Sequence, residues 1–244
     1  MSIKETISVR INNIPLVFKA LRFLYLLVTF RLWKEMFFKK HFEANSFDVL
    51  CSAKKALNNA GVEFWLDFGT LLGIHRNGAF IKNDLDIDLG IYIQTDYSII
   101  DRCMREEGFK LFRGISLDGG QYGMELSYIK NDIKIDLFFY SQIEANRYRV
   151  HLFVNFPGCG EKQSIKKYGG LRPIEQYMIL DGLKSCEFRG ETFNIPSNVE
   201  EYLAYHYGND YMIPRSWDYA NVEKDNLNAC YLPDKVGVVF REFK

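Results

Sequence analysis

Between residues 84 and 91 the chain reads Asp-Leu-Asp-Ile-Asp-Leu-Gly-Ile. Acidic and apolar residues alternate with the period of two that a β-strand imposes. Asp84, Asp86 and Asp88 therefore share one face, and Leu85, Ile87 and Leu89 point to the other, into a core. The acidic face sets three anions at alternate positions, where they repel one another unless a cation lies between them. A hard divalent ion with oxygen ligands, Mg²⁺ or Mn²⁺, suits that face.

The residues around this strand extend the same theme. Val62 to Leu66 is strand-like, Gly69-Thr70 marks a turn, and a short helix runs from it to about His75, followed by a loop at Asn77-Gly78. A tight turn at a helix start leaves backbone N–H groups free to receive a phosphate. Arg76 and Lys82 stand between this turn and the aspartates, as cations able to pair with phosphate oxygens. Downstream, Tyr122–Lys130 and Ile133–Phe139 flank Asn131-Asp132, a short hairpin signal that lacks the usual glycine. In its second strand Ile133, Ile135 and Leu137 share one face, Lys134 and Asp136 the other. Asp136 is the candidate third carboxylate. Two metal-binding carboxylates on one strand and a third from a neighbour suit phosphoryl or nucleotidyl transfer. The competing reading is a solvated acidic face; three aspartates in register beside a Gly-Thr turn weigh against it. Arg76 and Lys82, taken singly, are also ordinary surface charges.

Residues 14–40 are dense in Leu, Phe, Tyr and Trp, with Glu35 the only acid and a formal charge of +5. Pro15 suits a helix start. The uncharged run Phe23 to Phe30 is far short of the roughly 20 apolar residues that span a bilayer. An amphipathic helix lying in a membrane interface and a helix packed on the domain both fit. Residues 47–60 have helical spacing, with Ser46 as cap and Gly61 as stop. Thr95 or Asp96 can cap a helix over 97–107 that Gly108 ends. Tyr148–Val154 reads as a strand, 155–170 as a loop, and Ser197 to Glu200 as a capping box opening a helix that stops at Gly208. The tail, 209–244, reads as irregular and aromatic. These elements make an α+β chain, with an N-terminal segment over 1–40 and one domain over 41–244.

Formal net charge is zero over 244 residues, so no global field draws nucleic acid. Five widely spaced cysteines and four histidines show no zinc spacing, and the cysteines fit a reduced, cytoplasmic setting.

Trp65-Leu-Asp-Phe-Gly-Thr-Leu-Leu-Gly73, Arg76, Phe80-Ile81 and the run Asp84 to Ile91 together resemble the signature of the LicD family. These are phosphocholine and polyol-phosphate transferases related to fukutin and fukutin-related protein. Lys134 to Tyr140 is similar to the family's second metal-binding segment. Arg172-Pro-Ile174, Phe193-Asn-Ile-Pro196 and Glu200 to Gly208 resemble its C-terminal pattern. The resemblance covers about 47–220 and leaves 1–40 outside.

The resemblance implies a nucleotidyltransferase-like (polymerase-β-type) mixed sheet flanked by helices. It also implies transfer of phosphocholine, ribitol phosphate or glycerol phosphate from a CDP-linked alcohol to a sugar hydroxyl of a surface glycan, such as capsule or lipopolysaccharide. Metal ligands carry over onto Asp86, Asp88 and Asp136, with Asp84 matching less closely and serving the loop or the donor. Gly69, Thr70 and Lys82 then line the donor site, and Arg76 counters transition-state charge. Leu85 and Lys82-Asn83 depart from the common pattern, the second of them in the donor pocket. Two other readings stand beside this one: a nucleotide-sugar glycosyltransferase with an Asp-x-Asp metal site, and a non-catalytic peripheral membrane protein held by residues 14–40 at the inner face of the membrane.

Overall fold

A computed structural model describes residues 16–82, 84–93, 96–214 and 228–242. Pro15, Asn83, Thr95 and residues 215–227 of the tail, on which some of the expectations above fall, lie outside them. Helix α1, Leu16–Asn59, is one element where two were expected. No Gly or Pro interrupts it between His41 and Ser46, and Ser46 is a fully buried interior residue, not a cap. Two compact units divide within this helix, between Ala44 and Asn45. Among the described residues no helix is long and apolar enough to cross a membrane.

The second unit is mixed α+β. Strand β1 (Phe64–Leu66) leads into helix α2 (Phe68–Asn77), and β2 (Asp86–Tyr92) into helix α3 (Tyr97–Glu106). Strands β3 (Lys110–Leu117), β4 (Gly123–Lys130), β5 (Ile133–Gln142) and β6 (Arg147–Val154) follow. Then come helix α4 (Glu161–Tyr168), β7 (Arg172–Ile179), the hairpin β8–β9 (Leu183–Phe188, Glu191–Pro196) and helix α5 (Val199–Tyr207). Short strands β10 (Ala229–Tyr231) and β11 (Val238–Phe240) close the described chain.

Strand β5 is the pivot of the main sheet. It pairs in parallel with β2 and antiparallel with β4, and its last two residues pass to β6. The turn joining β4 to β5 forms without glycine because Asn131 and Asp132 both take left-handed backbone angles, with φ of 51° and 57°, which short polar residues tolerate best. On one sheet face Ile87, Leu89, Ile91, Ile135 and Leu137 are completely buried. The other face carries Asp86 and Asp88 beside Lys134 and Asp136, in register.

Several expectations need correction. Leu85 does not enter the core; it is 40% exposed, because the chain is still turning at Asp84, whose N–H bonds the Ile81 carbonyl, and β2 begins only at Asp86. The stretch 155–170 is not all loop, since α4 lies within it between Gly160 and the left-handed Gly169. Helix α5 starts after Asn198 with no side-chain cap, so the Ser197–Glu200 box does not form. The Asn198 amide is drawn away to the Ile179 carbonyl and Glu201. The tail is not wholly irregular, because β10 extends the sheet beside β7 and β11 extends it beside β3.

Candidate active site

The turn from β1 into α2 is built on Asp67. Its buried carboxylate caps the helix, accepting the Phe68 N–H at 2.8 Å, the Tyr202 hydroxyl at 2.8 Å and the Tyr140 hydroxyl at 2.6 Å. Burial pushes its pKa up to about 6, although the two tyrosines and the Phe68 N–H pull the other way. Phe68 sits at φ 37°, a conformation that costs a non-glycine residue about 1 kcal/mol or more. Its ring lies 4.7 Å from both Phe138 and His206.

This turn grips Asp88 from three directions. The Asp88 side chain accepts the Gly69 N–H at 3.1 Å, its own N–H donates to the Thr70 hydroxyl at 2.9 Å, and its carbonyl accepts the Asp67 N–H at 3.1 Å. Gly69 has to be glycine: a Cβ there would collide with the Asp84 carboxylate and lie 3.3 Å from Asp88 Oδ2. Gly69 and Thr70 thus hold a carboxylate directly.

Asp84, Asp86 and Asp88 each present an oxygen within 4.8 Å of the others. Across the strand pairing, Asp88 faces Asp136 and Asp86 faces Lys134. The Lys134 ammonium lies 2.9 Å from Asp86 and 2.7 Å from Asp136. Burial raises the Asp84 carboxyl to about 8, reinforced by the hydrogen bond and charge of Asp86. Burial and the neighbouring carboxylates also raise Asp88 well above the usual range. Burial alone would raise Asp86 too, but Lys134 and Asp84 outweigh it and leave it lowered. Lys134 is held charged by Asp136 and Asp86 despite its burial.

These side chains line a cleft of about 270 Å³ that also includes Arg113, Glu125, Phe138 and His206. Five carboxylates against Arg113 and Lys134 leave a formal charge of −3 if all are ionised. The donor set therefore fits a divalent cation. So does an orphaned atom: Asp136 Oδ1 is buried and has no hydrogen-bond partner among the described residues. An all-oxygen carboxylate set suits Mg²⁺ or Mn²⁺ rather than a softer metal.

Arg76 and Lys82 are not part of this lining. Arg76 sits in the last turn of α2, its Nη2 3.4 Å from the Ile213 carbonyl, and Lys82 follows in the turn before Asp84. The cations at the carboxylates are Arg113 and Lys134. Glu125, Arg113 and His206 were not singled out from sequence. Glu125 was within reach: the two-residue turn sets Ser127 opposite Asp136, which places Glu125 two residues along on the same face. Burial and then Asp136 raise Glu125 to about 7, against the pull of Arg113. No pattern pointed to Arg113, because a register shift between Leu111 and Arg113 resets which face it occupies. His206 lines the cleft as a buried neutral ring, lowered by burial to about 3 and hydrogen-bonded through Nδ1 to Gln176.

The family profile described as "LicD/FKTN/FKRP, nucleotidyltransferase domain" matches residues 61–198, a span that runs from the Asp67 turn through both carboxylate strands. Similar proteins include "Ribitol-5-phosphate transferase FKTN" of Mus musculus, 32% identical over 180 residues, and its Homo sapiens counterpart, 30% identical over 180 residues. Those alignments cover 73% of this chain and 36% of each relative. "Ribitol 5-phosphate transferase FKRP" of Homo sapiens is 27% identical over 154 residues, 62% of this chain and 29% of the relative. The chain thus spans about a third of the length of these relatives.

Proposed function

The chain belongs to the LicD/FKTN/FKRP nucleotidyltransferase-domain family, and from that premise we propose that it is a metal-dependent transferase. It moves a phospho-alcohol, ribitol phosphate foremost, from a CDP-linked donor to a sugar hydroxyl of a glycan. The observation that carries this reading is Asp136 Oδ1, a buried carboxylate oxygen with no hydrogen-bond partner among the described residues, on the residue paired across the sheet with Asp88. A nucleotidyltransferase-like sheet is part of the same reading.

Asp86, Asp88 and Asp136 would hold the ion, with Asp84 close enough to join them. Bound there, a divalent ion would supply charge neutralisation for the diphosphate. Gly69 and Thr70 keep Asp88 in place, and Lys134 keeps Asp86 and Asp136 from repelling each other. Arg113 takes over the charge-countering role that the sequence suggested for Arg76, since it is the guanidinium in the cleft. The acceptor hydroxyl attacks the phosphorus bearing the alcohol, a new P–O bond forms, the bond to the CMP phosphate breaks, CMP leaves with the electron pair, and the hydroxyl proton is released to solvent.

A cytoplasmic placement with peripheral membrane contact through residues 14–40 completes the reading. Exposed Phe23, Leu24, Tyr25, Trp33 and Phe37 along α1 support it. Liposome co-sedimentation unchanged by deleting residues 1–40 would refute that contact. A donor screen tests the chemistry: Mg²⁺-dependent release of CMP from CDP-ribitol, CDP-glycerol or CDP-choline is expected. Release of UDP from UDP-sugars, with CDP-alcohols inert, would make the chain a glycosyltransferase.

A further inference from the structure

Arg113 reaches the carboxylate cleft through an irregularity. The register shift between Leu111 and Arg113 leaves Phe112 out of the ladder with β4, and a bulge of this kind re-aims the side chain that follows it. Arg113 then hangs between two carboxylates. Its Nη2 is 3.2 Å from Glu125 in the cleft, and its Nη1 is 2.7 Å from Glu161 at the start of α4. Its buried Nε makes no hydrogen bond among the described residues, so these two contacts and the bulge set the direction of the guanidinium.

Arg241, the residue after β11, grips both supports. Its Nη1 donates to the carbonyl of the bulged Phe112, and its guanidinium stands 5.0 Å from the centre of the Phe112 ring. Its Nη2 lies 3.0 Å from Glu161 Oε1, while Arg113 uses Glu161 Oε2. A planar fork can serve two such acceptors at once, and a lysine cannot. Strand β11 delivers Arg241 to this place. Phe240 pairs with Gly114, where its ring fills the space a side chain would take, and Gly237 exchanges two hydrogen bonds of 2.9 Å with Leu171. The matched family profile stops at residue 198, well short of this strand. The plainer reading is a half-exposed ion pair that only fastens the tail, a contact worth little by itself. The choice of partners weighs against it, because both of them also fix Arg113.

We propose that Arg241 is a positioning residue for the transfer reaction: through Glu161 and the Phe112 carbonyl it holds Arg113 in the cleft without touching substrate. The inference rests on the reading that Arg113 counters charge on a CDP-linked donor. Steady-state release of CMP from CDP-ribitol, with Mg²⁺ present, tests it on the full chain. Arg241→Met should lower kcat about tenfold with KM little changed, as small displacements of a charged group do, and Arg241→Lys should recover part of the loss. In an Arg113→Lys background, Arg241→Met should cost less than about twofold, since coupled residues are not additive. Lys235→Met, which cuts the tail's ion pair to Asp118 at 2.5 Å, should leave kcat unchanged. An equal kcat loss from Lys235→Met, or a full tenfold loss from Arg241→Met in the Arg113→Lys background, would overturn the proposal. Nitrogen-15 NMR of the Arg113 guanidinium reads the same point without any donor: separate Nη1 and Nη2 signals in the wild type should merge in Arg241→Met as the group rotates freely. Signals that stay separate in Arg241→Met would overturn the positioning role whatever the donor is. A wild-type chain that releases no CMP from any CDP-alcohol would overturn the donor reading, and the NMR result would still decide the role of Arg241.

Discussion

Adding Mg²⁺ should stabilise this protein far more at pH 8.5 than at pH 6. The sign follows from the folded-state carboxyls. A carboxyl whose pKa is raised on folding favours the fold below its unfolded pKa, and that contribution disappears as pH rises through the folded value. Asp84 moves from 3.8 to about 8, so the metal-free protein should lose stability between about pH 4 and pH 8. A divalent ion needs the carboxylate form and must displace the proton. At pH 6, two units below the folded value, displacing it costs about 2.7 kcal/mol, or roughly 100-fold in apparent affinity. For a domain of this size 1 kcal/mol moves Tm by about 2–4 °C. The Mg²⁺-induced rise should therefore be about 5–11 °C larger at pH 8.5, at a concentration well above the Kd at both pH values. Differential scanning fluorimetry with and without Mg²⁺ across pH 5.5–9 reads it, and Asp84→Asn should flatten the profile. An Mg²⁺ shift equal at both pH values, or larger at pH 6, would refute the reasoning.

Three further perturbations follow from the same geometry. Gly69→Ala drives a Cβ into the Asp84 carboxylate and should weaken Mg²⁺ binding at least tenfold by calorimetry while circular dichroism stays native. Lys134→Met strips the counter-charge from Asp86 and Asp136; breaking such a pair costs about 3 kcal/mol or more, so metal-free urea unfolding should show a loss of that order, partly restored by Mg²⁺. Tyr202→Phe removes one of the three hydrogen bonds on buried Asp67 and should cost about 1–2 kcal/mol, with CMP release from a donor also falling because the turn gripping Asp88 loosens; unchanged activity would detach that turn from function.

The acidic strand was legible because alternation is a local signal, and the residues from Asp86 to Asp88 keep it in the structure. The neighbouring strand was legible for the same reason, and Asn131-Asp132 fixed the hairpin that sets Ser127 opposite Asp136. What remained hidden depends on long-range pairing. Arg113 reaches the cleft through a bulge in β3, and His206 arrives from a helix some 120 residues beyond Asp88. Helix α1 misled for the opposite reason: Ser46 is a good cap by type, but nothing in the preceding residues stops a helix, so burial decided its place. Leu85 shows the limit of a period-two argument at a strand end, where one residue of turn sends the side chain to solvent.

At the centre of the proposed chemistry is a divalent ion shared by the aspartates and the donor's diphosphate. Crystals grown with Mn²⁺ and CDP-ribitol, measured at the manganese edge, test this directly. An anomalous peak bonded to oxygens of Asp86, Asp88 and Asp136 and to the diphosphate is expected. Diphosphate bound with no peak at these carboxylates, or a peak elsewhere on the chain, would contradict it.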